Sequence, residues 1–417
     1  MTSTFPPADR SDLQFPKLRR VEVHPVEQNG EQAICLRDGA NIAQNMLLLP
    51  PLAFFMATFL DGKHTVEDIQ TQVLNQFGQT IPCDRIWELI LRLDRELYLD
   101  SQPYRQAFQA MLDEFHAKPC IDPAHAGLSY EKEPEALGNQ LNSFLAALPP
   151  DEIEKKNHLQ ALIAPHIDIR RGGETFAYAY REIAACDPAD VYLVFGTAHQ
   201  SRSSLLTLTN KSYNTPLGAI ETDASFVEQF AHSVSIDVFE EEILHRDEHS
   251  IEFQALWIRH MLGREWKGKI VPILCGSFHA YIEQGTNPWE DTRLVQALDR
   301  LKEMVADYKG NVGIIAGVDF SHVGKRFGSE LGIPETELER VEKEDRAVLD
   351  TILRGDWREF YTQVQQHGDC NNLCGLSPIF MALYVLPPSS GKLLHYNQSL
   401  ETDTESVVSY ASVAFYR

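Results

Sequence analysis

Four apolar, strand-like runs in this chain lead into residues that can hold or serve a metal. They are ALIAPHID (Ala161–Asp168), VYLVFGTAH (Val191–His199), KIVPILCGS (Lys269–Ser277) and VGIIAGVDFSH (Val312–His322). The stretches between them are long enough to carry a helix, the alternation that builds a parallel sheet. In such sheets ligands gather outside the carboxyl ends of the strands. His166, His199, Asp319 and His322 are therefore expected to meet, although they lie far apart in the chain. The fold this pattern demands is α/β, with a mostly parallel central sheet flanked by helices.

Helical spacing places helices over Gly173–Ala185, Asp223–His232, Ser250–Leu262, Trp289–Tyr308, Pro334–Leu353, Trp357–Gln366 and Leu376–Leu386. Two late runs, KLLHYNQSL and VSYASVAFY, read as strands added at the end. The first part of the chain is organised differently. Residues 1–17 are polar and proline-containing and are expected to form a disordered tail. A hairpin-like stretch follows (Val21–Leu36), then an apolar helix within LLLPPLAFFMATFLDG, then a helix opened by Thr65 in a T-V-E-D capping box. A third helix, CDRIWELILRLDRELYL, has apolar positions at Ile86, Leu89, Ile90, Leu93 and Leu97, and a strand-like YLDS closes the set. This order describes a small winged-helix domain over residues 18–101. Residues 102–117 form a linker with an amphipathic stretch, and residues 118–417 form the α/β domain.

At 417 residues the chain accommodates two domains at roughly 100–200 residues each. A formal charge of −23 argues against binding nucleic acid or an anionic membrane, since phosphates would be repelled. The third helix, with Asp84, Glu88, Asp94 and Glu96 among its arginines, lacks the basic face of a DNA reader. No apolar run approaches the ~20 residues that span a bilayer, and no signal core is legible, so a cytoplasmic location is expected. The seven cysteines are scattered without a CxxC pair, which fits reduced thiols.

His166 and His199 each follow an apolar run, which suits two neutral imidazoles to bind Fe, Zn or Cu from neighbouring strands. In VDFSH, Asp319 and His322 stand three apart: an acid/base histidine held by an acid, two ligands, or a helix cap by Asp319 or Ser321. Cys374 precedes the apolar helix PIFMALYVL, where a helix dipole favours the thiolate and hence a ligand or nucleophile. His249 and Glu252 share the start of one helix, as caps or as substrate contacts, with His245 expected at the surface. Arg170 and Arg171 can meet an anionic substrate or a carboxylate. The other histidines, His125 among them, form no convincing constellation. TPLG (Thr215–Gly218) reads as a turn.

Two resemblances add to this reading. F-L-D-G-K-H-T-V-E-D-I with E-L-Y-L-D resembles PqqD-like winged-helix domains, which implies capture of a peptide by strand addition. From near Cys120 onward, APH, G-T-A-H, Y-N-T-P-L-G, E-H-S-I-E, I-V-P-I-L-C-G, D-F-S-H and C-G occur in an order that resembles the Memo-like proteins, also called AmmeMemoRadiSam system protein B. That resemblance implies a fold similar to LigB-type class III extradiol dioxygenases. It also implies an iron, copper or zinc ion held by His166, His199 and Cys374, with Asp319 and His322 nearby as catalytic residues, and a radical-SAM protein as partner. The usual A-P-H-A-G is here A-P-H-I-D-I-R-R-G-G, so Asp168, Arg170 and Arg171 are expected to make the pocket mouth more polar. The expected function is a metal-dependent redox enzyme. A non-catalytic adaptor that binds a peptide or phosphorylated ligand is the alternative.

Overall fold

The computed structural model describes residues 10–28, 30–150, 159–329, 332 and 335–416. The chain divides into two compact units, residues 1–117 and 118–417.

In the first unit, β1 (Glu22–Gln28), β2 (Glu31–Arg37) and β3 (Leu47–Leu49) form an antiparallel sheet in that order. The helices are α1 (Pro51–Ala57), α2 (Val66–Phe77), α3 (Cys83–Arg95) and α4 (Gln102–Ala117). Thr65 caps α2: its hydroxyl accepts from the Asp68 N–H, and the Asp68 carboxylate accepts from the Thr65 N–H. The helix stops at Gly78 in the left-handed conformation. Ile86, Leu89, Ile90 and Leu93 of α3 are buried against Leu36, Leu49, Ile69 and Val73.

Several expectations change here. Leu47–Leu49 is a strand rather than part of the first helix, because Pro50 and Pro51 delay the helix start to a position where a missing N–H costs nothing. The closing YLDS is reduced to isolated bridges, among them Leu18 with Leu99. The linker over 102–117 is the helix α4. Of the expected tail, residues 1–9 lie outside the described residues. Residues 10–17 carry a 3-10 turn, with Leu13 buried and Arg10 2.7 Å from Asp94.

The second unit contains β4 (Cys120–Ile121), α5 (Pro134–Ala147), β5 (Leu159–Ala164), α6 (Ile169–Ala185), β6 (Val191–Thr197), β7 (Leu206–Leu208) and β8 (Ser212–Tyr213). Next come α7 (Ala224–Ser233), α8 (His249–Leu262), β9 (Lys269–Cys275), α9 (His279–Gln284), α10 (Thr292–Asp307), β10 (Val312–Gly317) and β11 (His322–Gly324). Last are α11 (Glu335–Leu353), α12 (Trp357–Gln366), α13 (Leu376–Val385), β12 (Gly391–Glu401) and β13 (Ser406–Tyr416). All seven expected helices form within a few residues; Pro334 lies outside the described residues.

The main sheet runs β11-β13-β5-β10-β6-β9-β7, with β12 beside β13. Its centre, β5-β10-β6-β9, is parallel, and β7 and β13 flank it antiparallel. The fold is therefore mixed α/β around a mostly parallel sheet. The central strands are buried almost throughout, as expected of parallel strands covered on both faces. Gly317 pairs with Ala164 on one side and Gly196 on the other, so three strands end level. β10 lies between β5 and β6, so His166 and His199 flank a third strand instead of sitting on neighbours.

In the first unit, the buried pair Arg19–Asp38 (2.9 Å) fixes the segment after β2, because Asp38 also accepts from the N–H groups of Ile42 and Ala43. Removing one partner of a buried pair strands the other's charge. Asp38→Ala is expected to destabilise this unit by about 3–5 kcal/mol, read as an earlier urea transition of Trp87 fluorescence, with the other four tryptophans replaced by Phe.

Candidate metal centre

The carboxyl ends of β5, β10 and β6 deliver His166, Asp319 and His199 to one place. His166 is 2% exposed and forms the floor. Its Nδ1 lies 3.0 Å from the Gly317 carbonyl, an acceptor only, so Nδ1 carries the proton and Nε2 keeps its lone pair. His199 is fixed the same way: its Nδ1 lies 3.0 Å from both oxygens of Glu248, and its backbone N–H donates to Glu248 at 3.1 Å.

The third imidazole arrives on a helix. Gly317 ends β10 and Gly196 is next to last in β6, where a β-carbon would lie 2.4 Å from the Ser250 carbonyl oxygen and 2.5 Å from the Ser250 hydroxyl respectively. Without side chains there, the start of α8 packs onto the strand ends and brings His249 with it. Ring centroids are 5.0 Å apart for His166–His199, 4.9 Å for His166–His249 and 4.8 Å for His199–His249. One donor atom from each of the three lies within 4.8 Å of the others. The side chains of His199 and His249 are 33% and 30% exposed, so the cluster opens to solvent on their side.

Cys374 precedes α13, and its sulfur is 3.3 Å from His166 Nε2. It is 3.4 Å from the Asp319 carbonyl, to which it donates. Contrary to the thiolate expected from the helix dipole, burial and the charge of Asp319 push this thiol well above its usual range. Asp319 accepts from the backbone N–H groups of His166 (3.0 Å) and Ile167 (3.1 Å). Burial pushes its carboxyl up to about 7 even against those bonds. Asp319 does not hydrogen-bond His322, as the VDFSH spacing suggested. The His322 Nδ1–H donates to the Phe320 carbonyl at 3.0 Å, and its backbone N–H donates to Asn371. No helix begins at Asp319 or Ser321, so the cap reading falls away.

Burial holds His166 well below its usual range, and takes His249 down to about 3 and His322 to about 4. Burial also acts on His199, but the Glu248 carboxylate outweighs it and leaves this imidazole raised. Three of the four imidazoles are thus neutral at neutral pH, the form that binds metals.

Other site candidates lie around this centre. Glu252 points away from it: its carboxylate accepts from the N–H groups of Ala124 and His125 and from the Tyr130 hydroxyl at 2.6 Å, closing the segment 124–130 over α8. Arg171 pairs with Glu401, and Arg170 bonds the Leu128 carbonyl, 3.8 Å from Glu131. Both arginines therefore meet acceptors of the chain itself. Asp168 caps α6 through the Arg170 N–H. His245, expected at the surface, is fully buried between the Tyr213 hydroxyl (2.7 Å) and the Thr207 carbonyl (3.0 Å). His125 joins the cluster's edge, 5.5 Å from His249 between ring centroids. Sequence reading did not place His249 beside His166 and His199, and the glycines closing VYLVFG and GIIAG were the available signal.

A sheet that gathers histidines and a thiol at its carboxyl edge defines an α/β protein with a metal-capable histidine cluster. Residues 122–414 match the profile described as Memo-like protein, and the chain belongs to that family. It is 24% identical over 404 residues to a MEMO1 family protein of Aquifex aeolicus, which covers 96% of this chain and all of the relative. An alignment of that length takes in both units. A MEMO1 family protein of Methanosarcina mazei is 29% identical over 296 residues, 70% of this chain and 97% of the relative. One of Pyrococcus horikoshii is 27% identical over 305 residues, 71% and 99% respectively. Among the described residues, no helix is long and apolar enough to cross a membrane.

His245 gives a pH prediction. Burial lowers its pKa to about 4, against a usual value near 6.5. Protonation therefore favours the unfolded chain: this contribution is complete above about pH 6.5 and is lost as pH falls toward 4. Between pH 7 and pH 5 it amounts to about 2 kcal/mol. His245→Gln is expected to lose that much less stability over the same interval, measured by urea denaturation of metal-free protein.

Proposed function

We propose that the protein is a metal-dependent redox enzyme whose ion is held by His166, His199 and His249, with Cys374 beside them as a further donor. The observation that carries this reading is the tautomer set. His166 and His199 each spend Nδ1 on a fixed acceptor, which leaves Nε2 free to bind. The donor set fits the group: three imidazoles and one sulfur suit zinc, copper(I) or iron(II) better than a hard cation. Of these, iron or copper supplies one-electron chemistry when bound.

The chain's own residues do the rest. Glu248 orients His199, and the Gly317 carbonyl orients His166. Asp319 titrates near neutrality and can hold a proton on Oδ2, 3.8 Å from His166 Nε2. His322 is neutral and suited to accept a proton from a bound substrate. The relation to LigB-type dioxygenases and the radical-SAM company belong to this same proposal.

The first unit supports a second role. Its sheet order leaves the outer edge of β1 without a partner strand among the described residues, a place where an extended peptide can add. The winged-helix, PqqD-like reading then makes this unit the recruiter of a peptide or protein partner.

The test is metal analysis after purification and after reloading with iron or copper. The wild type is expected to retain close to one ion per chain. A His166→Ala/His199→Ala variant is expected to lose at least about tenfold in affinity, by the usual effect of removing ligands and their supports. His249→Ala distinguishes a three-histidine set from His166, His199 and Cys374 alone. Equal metal content in the wild type and the double variant sinks the assignment.

A further inference from the structure

At the opposite, amino-terminal end of the sheet lies a second cavity of about 420 Å³, within the size range of small-molecule sites. It is built where the turn Thr215–Gly218 meets the last turn of α8 and the segment leading into β9. Three cations line it, Arg259, Arg264 and Lys267, together with Trp266 and a single carboxylate, Glu221. In a chain of net charge −23 this is a local reversal of sign.

The cations lack ionic partners. No carboxylate lies within 4.0 Å of any of them among the described residues. Their bonds go to backbone carbonyls: Arg259 to Gly263 and Ala219, Arg264 to Leu217, and Lys267 to Arg264. Arg259 is only 6% exposed, and its buried Nε has no hydrogen-bond partner at all. Its guanidinium carbon sits 5.9 Å from the centre of the Trp266 ring. Burial and the neighbouring Arg264 both work against the charge of Arg259. A buried cation without a counter-charge is costly, and an anion in the cavity would offset that cost.

We propose that this cavity binds a phosphate monoester, its oxyanion held by Arg264 and Lys267 in the field of Arg259 and its organic part lying against Trp266. Guanidinium groups match phosphate oxygens in pairs. The volume leaves room for more than the anion alone. The site is separated from the histidine cluster by the length of a seven-residue strand, roughly 20 Å, so it needs no metal and does not depend on the redox reading.

The experiment is calorimetric titration of full-length, EDTA-treated protein with inorganic phosphate, AMP and adenosine at low salt. AMP is expected to bind one site per chain more tightly than phosphate, and adenosine is expected to give no heat. Arg264→Gln/Lys267→Gln, on exposed positions and checked for an unchanged melting temperature, is expected to weaken AMP by about tenfold or more. Glu221→Gln is expected to tighten it about two- to fivefold by removing the one repulsive charge; residues that only hold carbonyls would not produce that response. Absence of binding by phosphate and AMP up to about 10 mM, or equal affinity in the wild type and the double variant, overturns the proposal. So does binding of adenosine as tight as that of AMP.

Discussion

Helix α8 reaches the strand ends only because Gly196, next to last in β6, and Gly317, last in β10, lack the side chains that would meet Ser250, and much of the unit's polar architecture is hung from that contact. The Ser250 hydroxyl bonds the Thr197 carbonyl at 3.1 Å. Just before the helix, the Glu248 carboxylate takes the His199 side chain and backbone, and its other contacts are the Ser250 N–H and the His249 ring at 3.3 Å. Burial alone would push this acid up, but those partners hold it far below the usual range. One turn on, Glu252 fixes the segment 124–130. Gln254 then accepts from the Tyr180 hydroxyl and donates to the Pro165 carbonyl, directly before His166. A side chain at either glycine would lift the helix and unseat all of these contacts together.

The strand-end logic made part of this visible without coordinates. Parallel strands must point the same way, so a polar residue two positions past each apolar run has to lie at the common edge, and His166, His199 and Asp319 do. Cys374 was singled out for its place before a wholly apolar helix; the position proved right, but burial, not the helix dipole, sets its protonation. His249's place in the cluster was not legible, because its position depends on which strand residues lack side chains under a helix some fifty residues downstream of Gly196. The same limit hid the true partner of Asp319: an Asp-x-x-His spacing suggests a local pair, but the carboxylate turns instead to the backbone of β5's exit, a neighbour only across the sheet. In the first unit, capping chemistry was local and readable at Thr65. Leu47–Leu49 was misread because three leucines before two prolines carry no periodicity.

His245 shows how burial changes the meaning of a residue type. Set among charged residues in HRDEH, it looks exposed, yet the 3-10 turn that holds it tucks the ring between a hydroxyl and a carbonyl. Both nitrogens are then satisfied in one neutral tautomer, with the carbonyl accepting from Nε2 and the hydroxyl donating to Nδ1. The ring thereby braces the approach to α8 from β7 and β8. Charged neighbours in sequence say little about the environment of a residue whose turn faces inward.

The two ends of α8 carry opposite electrostatic problems, and the helix itself answers each in part. At its start, the unpaired N–H groups and the positive end of the dipole favour the buried Glu248 carboxylate. At its end, Arg259 lies where the negative end of the dipole favours a cation, and it bonds the carbonyl of Gly263 just past the helix and that of Ala219 from the facing segment. The balance is closer at the first end, where the raised imidazole of His199 stands beside the acid. It is incomplete at the second: carbonyl dipoles satisfy N–H groups without cancelling a full charge, and Arg264 adds another of the same sign. The lining of the cavity at this end therefore keeps three cations against one carboxylate, on a chain of net charge −23, and a ligand that neutralises the excess gains from a cost the fold has already met.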